Sequence, residues 1–463
     1  MFDVNPNILN QVLEHYENQP LLITEKRSWT FADFMSEARL LSDSLMAESQ
    51  QRVYLSTENT ENLLKSMLAL WMRGAVAVPL NQQIPEKQKM EMLQQIGCTF
   101  SYTELQHEFK SHPTSVNSLQ PNPVGNSDAV AGKEVNSINP KDWATIIFTS
   151  GSTGSPKAVV HSLANHFYNA LGANERMPLN PGDRWLLSLP MYHVSGLAIL
   201  FRTLLSGAAM VIPAKNVSLS KTLLSRSVTH LSLVPTQLRR LLQTTKGKDA
   251  LCKLKLILLG GASIPETLLD QSAQLGLNVQ TTYGSTEMAS QVATGKSGFY
   301  QVLPFREVRI AADDEVEVRG KSGFLGYLDG TGLHQPFDEN GWFKTGDIGL
   351  WCSKDTKNQG DVDSLKITGR KDSMFISGGE NIHPEEIERI LLQFGKTEQA
   401  IVVAVQDAEF GARPVAFLKI GEDFSESKLQ KFLGKRLAKF KVPDLFLALP
   451  ELVESEIKHN RVE

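Results

Sequence analysis

Cysteine is scarce in this chain and follows no pattern. Its 463 residues include three cysteines, Cys98, Cys252 and Cys352. They lie far apart, without the spacing of metal ligands and without the pairs that a disulfide framework requires. This argues against a zinc module and against a disulfide-rich secreted protein. It favours a reducing compartment, the cytoplasm.

Excess charge and long apolar runs are missing too. The formal net charge is −4, which provides no basic surface for nucleic acid or an anionic membrane. The N-terminus has neither the basic region nor the apolar core of a signal peptide. The most apolar window, residues 197–212, contains Arg202 and is too short to span a bilayer. We expect a protein that binds small molecules, binds no nucleic acid and is not inserted in a membrane; its oligomeric state, including a homo-oligomer, stays open.

An alternation of strand and helix patterns is present instead, within a length that predicts two or three domains. Apolar strand patterns separated by helical ones recur from residue 144 to residue 282, at 144–148, 185–189, 208–212, 231–234, 254–259 and 279–282. Such alternation predicts an α/β fold with a largely parallel sheet covered by helices. Ligands of such sheets bind beyond the carboxyl ends of the strands, so the loops there should carry the function.

The loop after the strand at 144–148 has the composition of a phosphate-binding loop. Residues 149–157 contain two glycines, several hydroxyls and Lys157, which together supply backbone donors, side-chain donors and positive charge. A P-loop would need glycine in place of Pro156 and a hydroxyl in place of Ala158, so that pattern fails. A flexible surface turn of the same composition is the alternative.

Two further loops carry polar groups. Gly260-Gly261-Ala262 follows the strand at 254–259, and could be a tight turn into the next helix. Tyr283-Gly284-Ser285-Thr286-Glu287 follows the strand at 279–282 and ends in a carboxylate, the type of ligand that Mg²⁺ prefers.

Two basic side chains have two interpretations each. His193, after the strand at 185–189, is either a structural histidine or part of a site. Arg202 lies in a helical pattern that is apolar nearly all round. Its guanidinium is therefore at the surface, or it is buried with an anionic partner, which could be a carboxylate of the substrate.

Together with residues 341–347 and 367–372, these motifs resemble, in the same order, those of the adenylate-forming superfamily of acyl-CoA synthetases, firefly luciferase and peptide-synthetase adenylation domains. The resemblance spans at least residues 144–461. It implies a large N-terminal adenylation domain (1–369) with mostly parallel sheets covered by helices, and a small mobile α+β lid domain (370–463) with its hinge at Asp372.

The resemblance also implies roles for individual residues. Tyr283 would stack on adenine, Thr286 would contact phosphate, Glu287 would hold Mg²⁺ and Lys458, in a final K-x-x-R motif, would be the catalytic lysine together with Thr286, Glu287 and His193. The implied ATP-binding residues are Thr149, Ser150, Gly151, Ser152, Thr153, Gly154, Lys157, Gly261, Ala262, Tyr283, Gly284, Asp347 and Arg370. The implied acyl-substrate residues are His193, Ser195, Arg202, Gly261, Ser285 and Ser290, and those on the CoA side or at the hinge are Asp372, Ser377, Gly378 and Gly379.

The implied function is a two-step ligase that uses ATP, Mg²⁺ and CoA. Within the superfamily the chain looks most like the ligases that activate an aromatic dicarboxylic acid, since Arg202 could hold a second carboxylate. Another acyl-CoA ligase, for an aryl or fatty acid, is one alternative. A nucleotide-binding relative without ligase activity is the other, because Glu456 and Ile457 replace the glycine that commonly precedes the lysine.

Overall fold

The structure is a computed structural model, and its described residues are 4–45, 47–57, 59–103, 108–111, 139–149, 156–262, 264–353, 363–371, 373–377, 380–395, 397–407, 410–420 and 425–450. Within these ranges, no helix is both long enough and apolar enough to cross a membrane.

The helices of these ranges are α1 (Ile8–Tyr16), α2 (Phe31–Ser44), α3 (Thr60–Met72), α4 (Glu86–Gln95), α5 (Leu163–Arg176), α6 (Val194–Ser206), α7 (Leu219–Ser225), α8 (Pro235–Leu242), α9 (Thr245–Leu251), α10 (Glu266–Gln274), α11 (Pro384–Gln393) and α12 (Glu426–Leu433).

The strands are β1 (Pro20–Ile23), β2 (Ser28–Thr30), β3 (Arg52–Ser56), β4 (Val76–Pro79), β5 (Phe100–Thr103), β6 (Glu108–Ser111), β7 (Trp143–Thr149), β8 (Lys157–Ser162), β9 (Arg184–Leu186), β10 (Ala209–Val211), β11 (His230–Leu233), β12 (Leu256–Leu259), β13 (Val279–Ser285), β14 (Ser290–Lys296), β15 (Phe299–Val302), β16 (Arg306–Ile310), β17 (Glu315–Gly320), β18 (Gly326–Asp329), β19 (Gly332–His334), β20 (Phe343–Cys352), β21 (Ser364–Arg370), β22 (Phe375–Ser377), β23 (Glu380–Ile382), β24 (Thr397–Asp407), β25 (Gly411–Ile420) and β26 (Leu445–Ala448).

Most strands belong to two large sheets. A thirteen-stranded sheet has the order β16-β17-β20-β21-β15-β14-β13-β12-β11-β9-β10-β1-β2, and an eight-stranded sheet has the order β19-β18-β8-β7-β4-β3-β5-β6. The strands from β1 to β13 through β10, β9, β11 and β12 pair in parallel, as do β5, β3, β4 and β7. Antiparallel strands flank both parallel sets. The α/β class is confirmed, with parallel strands at the centre of each sheet.

Local sequence signals begin the helices that flank the site. Ser162 and Asn165 form a reciprocal capping box at the start of α5. Pro235 occupies the first turn of α8, as its missing N–H allows. Buried Trp71, Phe167 and Phe201 belong to one large apolar core, in which residues of α5 and α6 pack together.

The C-terminal elements form a smaller unit. The strands β24, β25 and β26 make a three-stranded sheet, and Ile387, Leu391, Leu429 and Leu433 from α11 and α12 pack with it in a separate apolar core. The helix α12 ends at Leu433, directly before Gly434. Arg370 is the last residue of β21 in the large sheet; the domain boundary at 369/370 stays a prediction.

Candidate nucleotide and acyl-substrate site

The glycine- and serine-rich loop joins two paired strands. Thr149, at the end of β7, is the register partner of Lys157, at the start of β8. The ammonium of Lys157 lies 5.1 Å from the centre of the Tyr327 ring on the neighbouring strand β18. Ser150, Gly151, Ser152, Thr153 and Gly154 lie outside the described residues, so the strand ends fix where this predicted phosphate loop begins and ends.

The predicted loop at residues 283–287 is in part a strand. Tyr283, Gly284 and Ser285 continue β13, whereas the sequence places them after the strand end. The strand continues because β13 and β14 form an antiparallel hairpin in which Ser285 pairs with Ser290. Gly284 is required there, since a Cβ atom would lie 1.8 Å from the carbonyl oxygen of Ser290. A 3₁₀ turn, Thr286–Met288, closes the hairpin and carries the predicted phosphate and metal residues.

Three side chains hold this turn, and sequence analysis found none of them. The Nε2 atom of His161 lies 2.8 Å from the carbonyl oxygen of Thr286. Asn169 donates from Nδ2 to the carbonyls of Met288 (2.9 Å) and Gln291 (3.1 Å). The phenol of Tyr327 donates to Oε1 of Glu287 over 2.7 Å. Of the three, only His161 could have been found from the sequence. It is the fourth residue after Lys157, and strand alternation places both side chains on one face of β8.

The backbone of the turn is strained where the acyl-substrate residues begin. Ala289 has a φ of 54° and Ser290 a φ of 125°, both in the region that favours glycine. Such conformations persist only where the surroundings fix them. Asn169 provides that restraint, because its amide bonds carbonyls on both sides of the two residues.

Glu287 fits a magnesium site of the kind that ATP completes. Tyr327 occupies Oε1, and within the described ranges Oε2 has no hydrogen-bond partner. No group of three or more His, Cys, Asp or Glu residues in those ranges could enclose a metal. One carboxylate is what Mg²⁺ needs when waters and substrate phosphates supply its other ligands.

Tyr283, Asp347 and Arg370 form one cluster. Asp347 and Arg370 are register partners on β20 and β21, and Nη1 of Arg370 lies 3.0 Å from Oδ1 of Asp347. The phenol of Tyr283 donates to Oδ2 of Asp347 over 2.6 Å. Burial, and then the charge of Asp347, raise the pKa of the Tyr283 phenol well above its ordinary value. Three residues predicted to contact adenosine are therefore adjacent.

The parallel strands bring further predicted residues to the same edge. Gly261 and Ala262 follow β12, which pairs in parallel with β13. Gly261 has a φ of 82°, so glycine suits this position. His193, which follows β9, is exposed and sits at the N-cap of α6 two residues before Ser195.

Arg202 lies on α6, nine residues after His193, which corresponds to about 13 Å at 1.5 Å per residue. It is 1% exposed. Its Nη2 donates to Oε1 of Gln291, and its guanidinium carbon lies 5.1 Å from the centre of the Trp185 ring. Among the described residues, its Nε has no hydrogen-bond partner. The amide of Gln291 in turn donates to Thr282 over 3.0 Å. Of the two interpretations, burial is correct, but the partner in the described chain is a neutral amide.

A second buried guanidinium lies close to the first. Arg306 donates to the carbonyls of Pro304 (2.7 Å) and Asn169 (3.0 Å). Burial lowers the pKa of Arg202 to about 9, and burial together with the charge of Arg202 lowers that of Arg306 to about 9. No carboxylate of the described residues contacts either guanidinium, so the surroundings of Arg202 and Arg306 have an excess of positive charge that an anion would neutralise.

Of the residues predicted for the CoA side and the hinge, the structure describes Ser377. Ser377 is 1% exposed, and its hydroxyl accepts from Nη1 of Arg413 over 3.3 Å within the C-terminal unit. Asp372, Gly378, Gly379 and Lys458 lie outside the described residues.

Comparisons with known proteins find family models and relatives that cover most of the chain. The model of the AMP-binding enzyme family matches residues 9–328, and that of the AMP-binding enzyme C-terminal domain matches residues 386–456. The 2-succinylbenzoate–CoA ligase of Salmonella typhimurium is 38% identical over 415 residues, which cover 88% of this chain and 85% of that protein. The Bacillus subtilis enzyme of the same name is 29% identical and covers 98% and 96%.

Solved structures of similar enzymes share the fold. A variant of Escherichia coli MenE with bound OSB-AMS aligns with a TM-score of 0.80 and 30% identity, covering 99% of this chain and 98% of that one. The o-succinylbenzoate CoA synthetase of Bacillus subtilis, in complex with ATP and magnesium ion, aligns with a TM-score of 0.79 and 26% identity, covering 97% and 96%.

Proposed function

The chain belongs to the AMP-binding enzyme family, and from this premise we propose that it is an o-succinylbenzoate–CoA ligase of menaquinone (vitamin K2) synthesis. A carboxylate oxygen of the acid attacks the α-phosphorus of ATP and releases pyrophosphate, which gives the acyl-adenylate. The thiolate of CoA then attacks the acyl carbon and AMP leaves. The observation that carries the choice of acid is the buried guanidinium of Arg202, which lacks a carboxylate partner among the described residues.

The nucleotide is bound by residues of the paired strands β7–β8 and β20–β21. Lys157 contributes a positive charge where the strand ends enclose the phosphate loop, and Asp347 and Arg370 offer an acceptor and donors for ribose hydroxyls. Negative charge grows on the phosphate in the transition state, so donors that are already in place lower the barrier without reorganisation. When bound at Glu287, Mg²⁺ would neutralise part of that charge.

Acid binding falls to the helix α6 and the hairpin β13–β14. Arg202 binds the aromatic carboxylate, so the succinyl carboxylate is left for activation. Ser285, Ser290 and His193 contact the acid between the nucleotide-binding residues and Arg202. A monocarboxylic acid would leave the guanidinium desolvated without an anion, which is costly, and this supports a dicarboxylate over a fatty acid.

The remaining assignments rest on the resemblance. Lys458 stabilises the first transition state, and the C-terminal unit then turns about Asp372 to admit CoA beside Ser377, Gly378 and Gly379. The boundary between the two domains lies at residues 369/370.

The test is ATP-dependent thioester formation with three acids in parallel: o-succinylbenzoate, benzoate and a medium-chain fatty acid. We expect product from o-succinylbenzoate alone. Preference for either monoacid would refute the dicarboxylate assignment while keeping the ligase. If ATP binds but none of the three acids causes pyrophosphate release, the ligase assignment is refuted.

A further inference from the structure

Glu287 is fixed at both ends by one short segment. Its backbone carbonyl accepts from the N–H of Phe324 over 2.7 Å, and its carboxylate accepts from the phenol of Tyr327 over 2.7 Å. The segment itself is tied to β8, because the N–H of Leu325 donates to the carbonyl of Val160 over 2.8 Å. Residues 324–327 thus join the turn that carries Glu287 to the strand that begins with Lys157.

The same tyrosine contacts Lys157. The ammonium of Lys157 lies 5.1 Å from the ring centre, within the range of a cation–π contact. The contact follows from strand register, since Tyr327 pairs with Val159, two residues after Lys157 and on the same face of β8. One side chain therefore touches the cation of the phosphate loop through its ring and the carboxylate of the turn through its hydroxyl.

Packing alone does not require the hydroxyl. The ring of Tyr327 packs edge-on against Phe324, with centroids 4.9 Å apart, and phenylalanine would keep that contact. The phenol restricts the Glu287 carboxylate to one orientation and takes up Oε1, which leaves Oε2 for a cation. Carboxylates that bind metals are commonly oriented by such hydrogen bonds, and loss of the outer partner costs about 10- to 100-fold in metal affinity.

We propose that Tyr327 is a positioning residue of the adenylation site: its hydroxyl orients the Glu287 carboxylate for the metal–nucleotide complex, and its ring keeps Lys157 beside the phosphate loop. The inference rests on the nucleotide-binding part of the proposed function and is independent of which acid is activated.

The experiment measures metal and nucleotide binding directly. Mn²⁺ binding to the full-length protein is titrated by electron paramagnetic resonance in the presence of α,β-methylene-ATP, for the wild type and Tyr327→Phe. We expect about tenfold weaker Mn²⁺ binding in the variant. Binding of AMP without metal should stay within twofold, because the ring and its contact with Lys157 are kept. A Mn²⁺ affinity within twofold of the wild type would overturn the role of the hydroxyl.

Two further variants separate positioning from packing. Tyr327→Phe in a Glu287→Gln background should cost no additional Mn²⁺ affinity, since the phenol acts through the carboxylate; an additional tenfold loss would contradict this route. Tyr327→Leu removes the ring as well, and metal-free binding of the ATP analogue should weaken about threefold. Unchanged binding there would overturn the role of the ring.

Tyr168→Phe is the matched control. Tyr168 also has a lysine over its ring, with Nζ of Lys321 at 4.7 Å, but it contacts no carboxylate among the described residues. Its Mn²⁺ affinity should equal that of the wild type, and an equal loss in both variants would reject a specific role for Tyr327. If the wild type binds no Mn²⁺ with the analogue, the nucleotide assignment and the inference both fail; binding with equal affinities in wild type and Tyr327→Phe refutes the inference alone.

Discussion

The proposed nucleotide end of the site and its proposed acyl end differ in how their charges are paired. At the nucleotide end, Asp347 meets the guanidinium of Arg370 and the phenol of Tyr283, so the charges are paired before a ligand arrives. At the acyl end, Arg202 and Arg306 are both buried, and no described carboxylate contacts them. Contacts within the protein therefore pair the charges of the first group, whereas the two buried guanidinium groups have no counter-charge among the described residues, and under the proposed function the substrate would supply it.

The largest expected effect follows from removing the charge at the acyl end. Arg202→Met should lower kcat/KM for o-succinylbenzoate at least about 100-fold, roughly 3 kcal/mol, because the substrate carboxylate loses a desolvated partner. Stability should stay equal or rise, because an uncompensated buried charge is gone. Steady-state kinetics and thermal denaturation test both parts. Unchanged turnover would show that Arg202 does not bind the substrate. A large drop in Tm would show that Arg202 stabilises the fold without a ligand.

The corresponding change at the nucleotide end should act on stability. Asp347→Ala removes the acceptor of the Tyr283 phenol and the counter-charge of Arg370, and we expect a free energy of unfolding lower by about 2 kcal/mol. Chemical denaturation measures it. The control is Glu307→Ala, which opens an exposed ion pair of 2.6 Å with Arg319 and should cost less than about 1 kcal/mol. Equal losses in both variants would contradict a structural role for Asp347.

A substitution of similar size would give the acyl end an internal ion pair like that of the nucleotide end. Gln291→Glu places a carboxylate beside Arg202, in the position of the present amide. The internal ion pair should compete with the substrate carboxylate and raise KM for o-succinylbenzoate about tenfold, whereas KM for ATP should change less than twofold. Substrate-dependent kinetics distinguish these outcomes. An unchanged KM for the acid would show that the acid binds elsewhere.

The smallest effect concerns the buried histidine that contacts the turn of Thr286 and Glu287, His161. Burial lowers the pKa of His161 to about 4, below its unfolded value of about 6.5. The unfolded chain therefore binds the proton first, and stability is lost as the pH falls below about 6.5. In His161→Gln this contribution is absent, so between pH 7.5 and 5.5 the wild type should lose about 1 kcal/mol more than the variant. Denaturation at both pH values tests this, and parallel losses would reject a buried neutral His161.

Sequence analysis was most successful where function follows local pattern. The strand expected at residues 144–148 and the apolar helix around Arg202 both form, and the family is confirmed. The individual roles of the site residues stay predictions.

The partners of these residues could not be predicted. His161 reaches Thr286 across 125 positions and Asn169 reaches Met288 across 119. Contacts of that separation depend on how sheets and helices pack, and they leave no periodic signal in the chain. For the same reason the pairing of β13 with β14 was missed, and Tyr283 was expected in a loop.

The register of β8 has a consequence for how this site can change in evolution. Lys157, the register partner of Thr149, begins β8, and His161 lies four residues further along the same strand, so both side chains are on one face of the sheet. One residue inserted between Lys157 and His161 would instead turn one of them to the opposite face of the sheet. The spacing of four residues between this lysine and this histidine should therefore be inherited as a unit.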